Sequence, residues 1–270
     1  MKRSEIFRRL HHAPPVLRLA NCWDPASARI FEVTGFPALA TSSAAVANAL
    51  GVQDGNCLDV SAHLAAITRI TAVVSVPVSV DFESGYAPDD TAKLGRNIAR
   101  LATTGAAGYN LEDSRVKGEL YSVAEQCERI AAAKAAAPAL FLNARTDIFL
   151  DAIGDAESRL ERTKERLAAY LAAGADGIFV PGIADEETIG DIARAFRKKP
   201  LNVLAGPSTP PIADLERIGV SRVSVGSWPM RRTMAVLRDI ARELYREGSF
   251  GFMREPMIGY DEMNALFARS

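Results

Sequence analysis

Two carboxylates one residue apart close a short β-branched run, Val78-Ser79-Val80-Asp81-Phe82-Glu83, and Gly85 lets the chain turn directly after them. Side chains alternate faces along a strand, so Asp81 and Glu83 are expected on one side, at the strand's mouth. Ala107 to Asp113 repeats the design, an apolar run that breaks into Glu112 and Asp113. A third run, Leu140 to Asp147, ends in Asn143, Arg145 and Asp147. Hard divalent ions such as magnesium take oxygen ligands and hold one or two carboxylates beside water and substrate oxygens, which this collection of acids could supply. For any one stretch, solvated strand-end charge explains the pattern as well. Three in succession weigh against that explanation.

Something must bring those three ends together. A glycine between a helix and a short apolar run recurs at Gly35, Gly105, Gly174 and Gly219. A left-handed glycine closing a helix before a buried strand is the αβ joint of a parallel sheet. Strands are expected near 16–20, 36–40, 76–80, 105–109, 140–144, 176–180, 201–205 and 220–225, eight in all. Alanine-rich amphipathic helices are expected over 62–72, 91–103, 123–136, 156–172, 185–197 and 232–247. An earlier helix begins where Asp24 caps and Pro25 takes the first helical position. Eight βα units favour a closed (β/α)8 TIM barrel, and 270 residues suit a single barrel domain over 1–270. An open Rossmann-type sheet is the alternative, but no Gly-x-Gly-x-x-Gly follows the first strand. Residues 248–270, with a helix over 260–267, exceed what eight units need and are expected to pack elsewhere, on a neighbouring subunit of a homo-oligomer.

Bulk composition excludes several partners. With 32 basic and 33 acidic residues the net charge is −1, which offers neither nucleic acid nor an anionic membrane an electrostatic footprint. Cys22, Cys57 and Cys127 are odd in number and lack any zinc or disulfide spacing. The first residues, MKRSEIFRRLHHAPP, carry positive charge without an apolar core after it, and no run of about 18 apolar residues occurs. The expectation is a soluble cytoplasmic protein.

Taken together, Asn21-Cys22-Trp23-Asp24-Pro25-Ala26-Ser27-Ala28, Thr41-Ser42-Ser43-Ala44, Leu50 to Asn56, Val80 to Tyr86, Leu111-Glu112-Asp113 and Asn143-Ala144-Arg145-Thr146-Asp147 resemble the isocitrate lyase and phosphoenolpyruvate mutase superfamily. The resemblance runs from about Leu17 to the C-terminal helix with the motifs in family order. It implies a magnesium-dependent barrel, with manganese as a substitute ion, that binds a small 2-oxo acid and works on a C–C or P–C bond beside its carbonyl. By the same resemblance Asp81, Glu83 and Glu112 surround the metal, largely through water. Ser42, Ser43, Ala44, Asp81, Asn143 and Arg145 form the substrate-binding set, and Arg145, Asp54 and Glu112 are the catalytic set, Asp54 on a gating loop. It also implies a tetramer, a dimer of helix-swapped dimers. Each role has a plainer counterpart: Arg145 could neutralise Glu112 or Asp147, and Ser42 and Ser43 could cap a helix.

Departures from the family pattern narrow the reaction. Families of this kind usually show Asp where this chain has Glu83. The Cys-Gly-His gate of the isocitrate and methylisocitrate lyases is replaced by Asp113 to Tyr121, a segment without Cys or His, and Pro181 stands where the phosphonate enzymes place a histidine. His11, His12 and His63 all lie away from predicted strand ends. Lys117 and Tyr121 could move protons, though a solvated loop explains both more simply. The phosphoenolpyruvate-mutase-like branch remains. The expected activity is a magnesium-dependent lyase cutting a C–C bond next to the carbonyl of oxaloacetate or a related acid through a metal-stabilised enolate. Phosphonate chemistry is the second reading, and a non-catalytic 2-oxo acid binding protein the third.

Overall fold

The computed structural model describes residues 1–268. Eight parallel strands close on themselves: Leu17–Cys22, Leu39–Thr41, Val78–Asp81, Gly108–Glu112, Phe141–Arg145, Gly177–Phe179, Leu201–Leu204 and Arg222–Ser224, here the first to the eighth. The last pairs with the first, Leu17 opposite Arg222. The expected TIM barrel is therefore the observed one, with no strand edge displaced by more than three residues. Helices 123–136 and 156–172 have the expected bounds.

Local chemistry sets the helix starts. Asp24 accepts the Ser27 amide at 2.7 Å ahead of Pro25, and Ser122 and Glu125 form a reciprocal cap at 3.2 and 2.8 Å. Gly105 and Gly174 take φ of +85° and +111° at two of the helix-to-strand joints, where a side chain would be strained.

Period-two alternation decides which residues reach the barrel interior. On the fourth strand Tyr109 and Leu111 face the helices, so Gly108, Asn110 and Glu112 face inward; on the fifth, Leu142 and Ala144 face out and Phe141, Asn143 and Arg145 face in. The floor is apolar: Phe7 of helix Arg3–Leu10 packs edge-on to Phe141 at 5.7 Å, beside Leu17, Leu19 and Ala40. Burying Phe7 alone contributes about 1.5–3 kcal/mol, enough to hold this helix over the floor. Gly108 is needed there, because a Cβ would meet the Phe141 carbonyl at 2.7 Å. With the floor sealed, charge collects at the other end.

Three segments differ from expectation. The last long helix begins at Trp228, because Pro229 sits in the first turn where its missing N–H costs nothing, and it runs to Arg242 before a π turn. Ser114 to Leu120 is a β-hairpin and not a loop, turned at Gly118. The tail helix spans Tyr260–Ala265, buries none of its own side chains, and returns to the barrel where Arg29 donates to the Leu266 carbonyl at 2.6 Å. The last two residues of the expected 248–270 extension lie outside the described residues. Among the described residues no helix is long and apolar enough to cross a membrane.

Candidate active site

The strand ends deliver Asp81, Glu112, Arg145 and Asp147 to one place. Glu112 and Arg145 are register partners, and Arg145 Nη1 lies 2.9 Å from Glu112 Oε2 and 3.7 Å from Asp81 Oδ1. The other side of the same guanidinium forks onto Asp147, Nε to Oδ1 at 2.6 Å and Nη2 to Oδ2 at 2.9 Å. Arg145 thus neutralises both acids that the plainer reading named, and it also faces Asp81. Ser43 donates to Asp81 Oδ2 twice, from its amide at 3.1 Å and from Oγ at 3.0 Å. Asn110 Nδ2 donates to Asp81 Oδ1 at 3.2 Å. Asp81 is therefore aimed from two sides.

Three carboxylates surround one guanidinium, and the imbalance shows in their protonation. Burial pushes Glu112 well above the usual carboxylate range; Arg145 opposes this, while Asp147, Asp81 and Glu83 add to it. For Arg145, burial works to lower its pKa, but Asp147, Glu112 and Asp81 outweigh it and hold the group well above its ordinary value. An added hard cation would relieve this negative excess, so the oxygens of Asp81 and Glu112 fit a divalent ion. Among the described residues, however, no three His, Cys, Asp or Glu side chains form a ready metal-binding group.

Glu83 joins the other acids by a different route. Alternation requires extended backbone, and the third strand ends at Asp81; Glu83 adopts φ +49°, so alternation does not set its direction. Burial pushes its pKa up, yet its carboxyl stays near enough to Asp54 and Asp81 for their charges to add to that push, and it adds to the push on Glu112 in turn. Its Oε1 accepts the Tyr86 hydroxyl at 2.6 Å and its Oε2 accepts the Asn56 amide. Both oxygens thus serve protein donors. Asn143 lies deeper. Lying two residues before Arg145, it sits about 7 Å deeper in the barrel, is 1% exposed, and donates to Asn110 Oδ1 at 2.9 Å. As the register partner of Asn110 it steadies that residue, which in turn holds Asp81.

The remaining sequence candidates divide. Ser42 caps helix Ser43–Ala49, accepting the Ala45 amide at 3.4 Å, so the capping alternative describes it; Ala44 follows, half-buried, in that helix's first turn. Asp54 stands on an exposed loop above the pocket, where partial burial and then the charge of Asp81 raise its pKa. Lys117 is exposed on the hairpin, and Tyr121 is a core residue under the Arg129 guanidinium at 4.2 Å. Cys127 packs against the core.

Several groups escaped the sequence reading. Asp113 is fully buried and accepts from Tyr170 at 2.7 Å, Arg166 at 3.2 Å and the Asp147 amide at 3.0 Å, so it props Asp147 from behind. Ser114 adds a bond to Asp147 Oδ2 at 2.8 Å. Arg222, buried in the barrel interior, donates to Asn110 Oδ1 at 3.2 Å. His63 meets Tyr86 at 2.7 Å. Asp113 stood in plain view beside Glu112; His63 and Arg222 had no local signal.

A closed parallel barrel whose adjacent strands three, four and five carry acids and an arginine at their C-terminal ends has the site plan of a TIM-barrel enzyme. The chain belongs to the phosphoenolpyruvate phosphomutase family, whose model matches residues 7–245, within the isocitrate lyase and phosphoenolpyruvate mutase superfamily of lyases and mutases. A Burkholderia cenocepacia J2315 structure solved as a candidate phosphonomutase is 40% identical, with a TM-score of 0.84 over 89% of this chain and 99% of that one. The Streptomyces hygroscopicus phosphoenolpyruvate phosphomutase is 30% identical over 97% of this chain and 86% of its own length. The Pseudomonas fluorescens SBW25 oxaloacetate decarboxylase is 30% identical over 81% and 75% respectively.

Proposed function

We propose that this enzyme is a magnesium-dependent lyase that breaks a C–C bond next to the carbonyl of a small 2-oxo acid, in the manner of an oxaloacetate decarboxylase or hydrolase or a methylisocitrate lyase. The observation that carries the reading is the convergence of Asp81, Glu112 and Arg145 at the ends of three neighbouring strands. Asp81 and Glu112 would hold the ion. When bound, magnesium supplies Lewis acidity to the carbonyl oxygen of the substrate, favouring charge there as the adjacent bond breaks. Arg145 Nη1, the arm turned to the pocket, balances a substrate carboxylate. Ser43 and Asn110 fix the Asp81 carboxylate, so little reorganisation is needed when substrate enters. Asp54, its carboxyl pushed up by partial burial and by Asp81, would return a proton to the carbon left by the departing group.

Phosphonate P–C chemistry is the second reading, favoured by the match to the Streptomyces hygroscopicus mutase over nearly the whole chain. Purified enzyme with magnesium is offered oxaloacetate, methylisocitrate and phosphonopyruvate, and release of product (pyruvate, oxalate or phosphoenolpyruvate) is followed for wild type and Asp81→Ala. Release from oxaloacetate or methylisocitrate that needs both magnesium and Asp81 supports the lyase. Release from phosphonopyruvate alone transfers the assignment to the second reading. No release from any of the three sinks both.

The same reading treats 1–270 as one cytoplasmic domain working as a homo-oligomer, a tetramer built as a dimer of helix-swapped dimers. Helix Trp228–Arg242 buries only Met230 and leaves Trp228, Met234, Val236 and Leu237 exposed, and Tyr245 beyond it is 92% exposed. An apolar face of this extent calls for a cover. A monomeric mass by light scattering would refute the assembly.

A further inference from the structure

The turn after the third strand is fixed on one side and grips a loop on the other. Arg129 donates to the Ala87 carbonyl at 3.0 Å and to that of Ser84 at 2.5 Å, and Asn97 donates to Gly85 at 2.9 Å. Five non-glycine residues among those described have positive φ, and three of them meet here: Glu83 at +49°, Tyr86 at +56° and, from the opposite loop, Asn56 at +60°. Such backbone persists only where surrounding contacts enforce it. The contacts are explicit. Glu83 Oε2 accepts the Asn56 amide, Ser84 Oγ donates to Asn56 Oδ1 at 3.1 Å, and Tyr86 donates to Glu83 Oε1 at 2.6 Å. Because the Tyr86 proton points at Glu83, the 2.7 Å contact to His63 requires His63 Nδ1–H to donate to Tyr86 Oη. His63 is fully buried, packed tilted against Phe82 and edge-on to Tyr86, on the helix that follows the loop.

We infer that Glu83 is a positioning residue that latches the 51–59 loop, and Asp54 with it, over the strand-end pocket, and that the buried Tyr86–His63 pair aims its carboxylate. The inference rests on the proposed reading of that pocket as the reaction site, and it gives the family departure at this position a purpose. Aspartate would be shorter by one methylene, about 1.5 Å, and would not span from the clamped turn to the Asn56 amide while also meeting Tyr86. The loop is thereby tied at two points, through Asn56 directly and through His63 on the helix behind it.

Amide hydrogen exchange of the full chain, without substrate, reads the latch itself. In wild type the Asn56 amide is protected. Glu83→Asp speeds its exchange about 10- to 100-fold, the equivalent of one charge-assisted hydrogen bond, while the barrel strands exchange as before. Tyr86→Phe gives a smaller rise at the same amide. With a turned-over 2-oxo acid, both variants raise KM while kcat stays as in wild type, a split that a merely structural defect would not give. Wild-type exchange at Asn56 in Glu83→Asp overturns the latch; if that variant does not fold, Tyr86→Phe decides by the same criterion. Loosened exchange in an enzyme that turns over none of the tested acids leaves the latch standing and removes the functional reading; turnover with unchanged exchange does the reverse.

Discussion

Glu83→Gln should change how stability depends on pH, and the size of the change follows from the burial of one carboxyl. Glu83 is 3% exposed, and burial pushes its pKa from 4.5 to about 7; Tyr86 and the Asn56 amide work against that shift, and Asp54 and Asp81 reinforce it. The folded chain therefore holds this proton more tightly than the unfolded chain does. Stability contributed by the protonated group is fully present below pH 4.5 and is lost as pH rises through about 7. A shift of this size corresponds to about 3 kcal/mol between the two ends of the window. Glutamine cannot titrate, so the variant should lack that decline. Urea unfolding midpoints of both proteins, taken from pH 4 to 8 with a chelator present, give the difference. His63 and His11, held by burial at about 4 and about 3, contribute the opposite slope below pH 6.5, and because both proteins carry them they cancel. Parallel profiles for the two proteins would show that Glu83 is not buried as described and would refute the reasoning.

Other perturbations test the hub around it. Arg145→Met leaves Asp81, Glu112 and Asp147 without their shared counter-charge and should destabilise by about 3–5 kcal/mol, less at pH 4 than at pH 8, because the stranded carboxyls protonate; an unchanged urea midpoint would count against the ion-pair geometry. Asn110→Ala removes the donor to Asp81 and the acceptor for Asn143 and Arg222 together, a loss of about 1–3 kcal/mol in unfolding free energy. Ser43→Ala keeps the backbone amide on Asp81 but loses Oγ, so kcat/KM on the accepted substrate should fall about fivefold, near 1 kcal/mol, with no change in melting temperature.

The barrel was readable because its grammar is local: a glycine joint, a buried run and a polar end, repeated until the count reached eight. Helices 123–136 and 156–172 were placed to the residue for the same reason, since Ser122 and Asp155 stand where a cap is wanted. Asp81 and Arg145 were found from strand-end position, and the structure sets them 3.7 Å apart. Glu83 lies two residues past the strand, where period-two alternation no longer applies, in a turn whose positive φ no pattern of residue types announced; its contacts to Tyr86 and Asn56 were for that reason not legible. Asn143 was named from the same strand end as Arg145, and alternation puts it one layer down. Tyr86, His63 and Arg222 were beyond reach for a different reason. Their partners lie 3, 23 and 112 residues away, and only the tertiary fold decides which of those separations closes.

The claim on which the account stands is that Asp81 and Glu112 together hold a cation where a 2-oxo acid binds. Calorimetric titration of oxalate, a planar dicarboxylate that presents the same paired oxygens as the substrate, measures this with no turnover needed. The account predicts binding at one site per chain that requires magnesium and disappears in Asp81→Asn and in Glu112→Gln. Oxalate binding of equal strength without the metal, or undiminished in both variants, would contradict it.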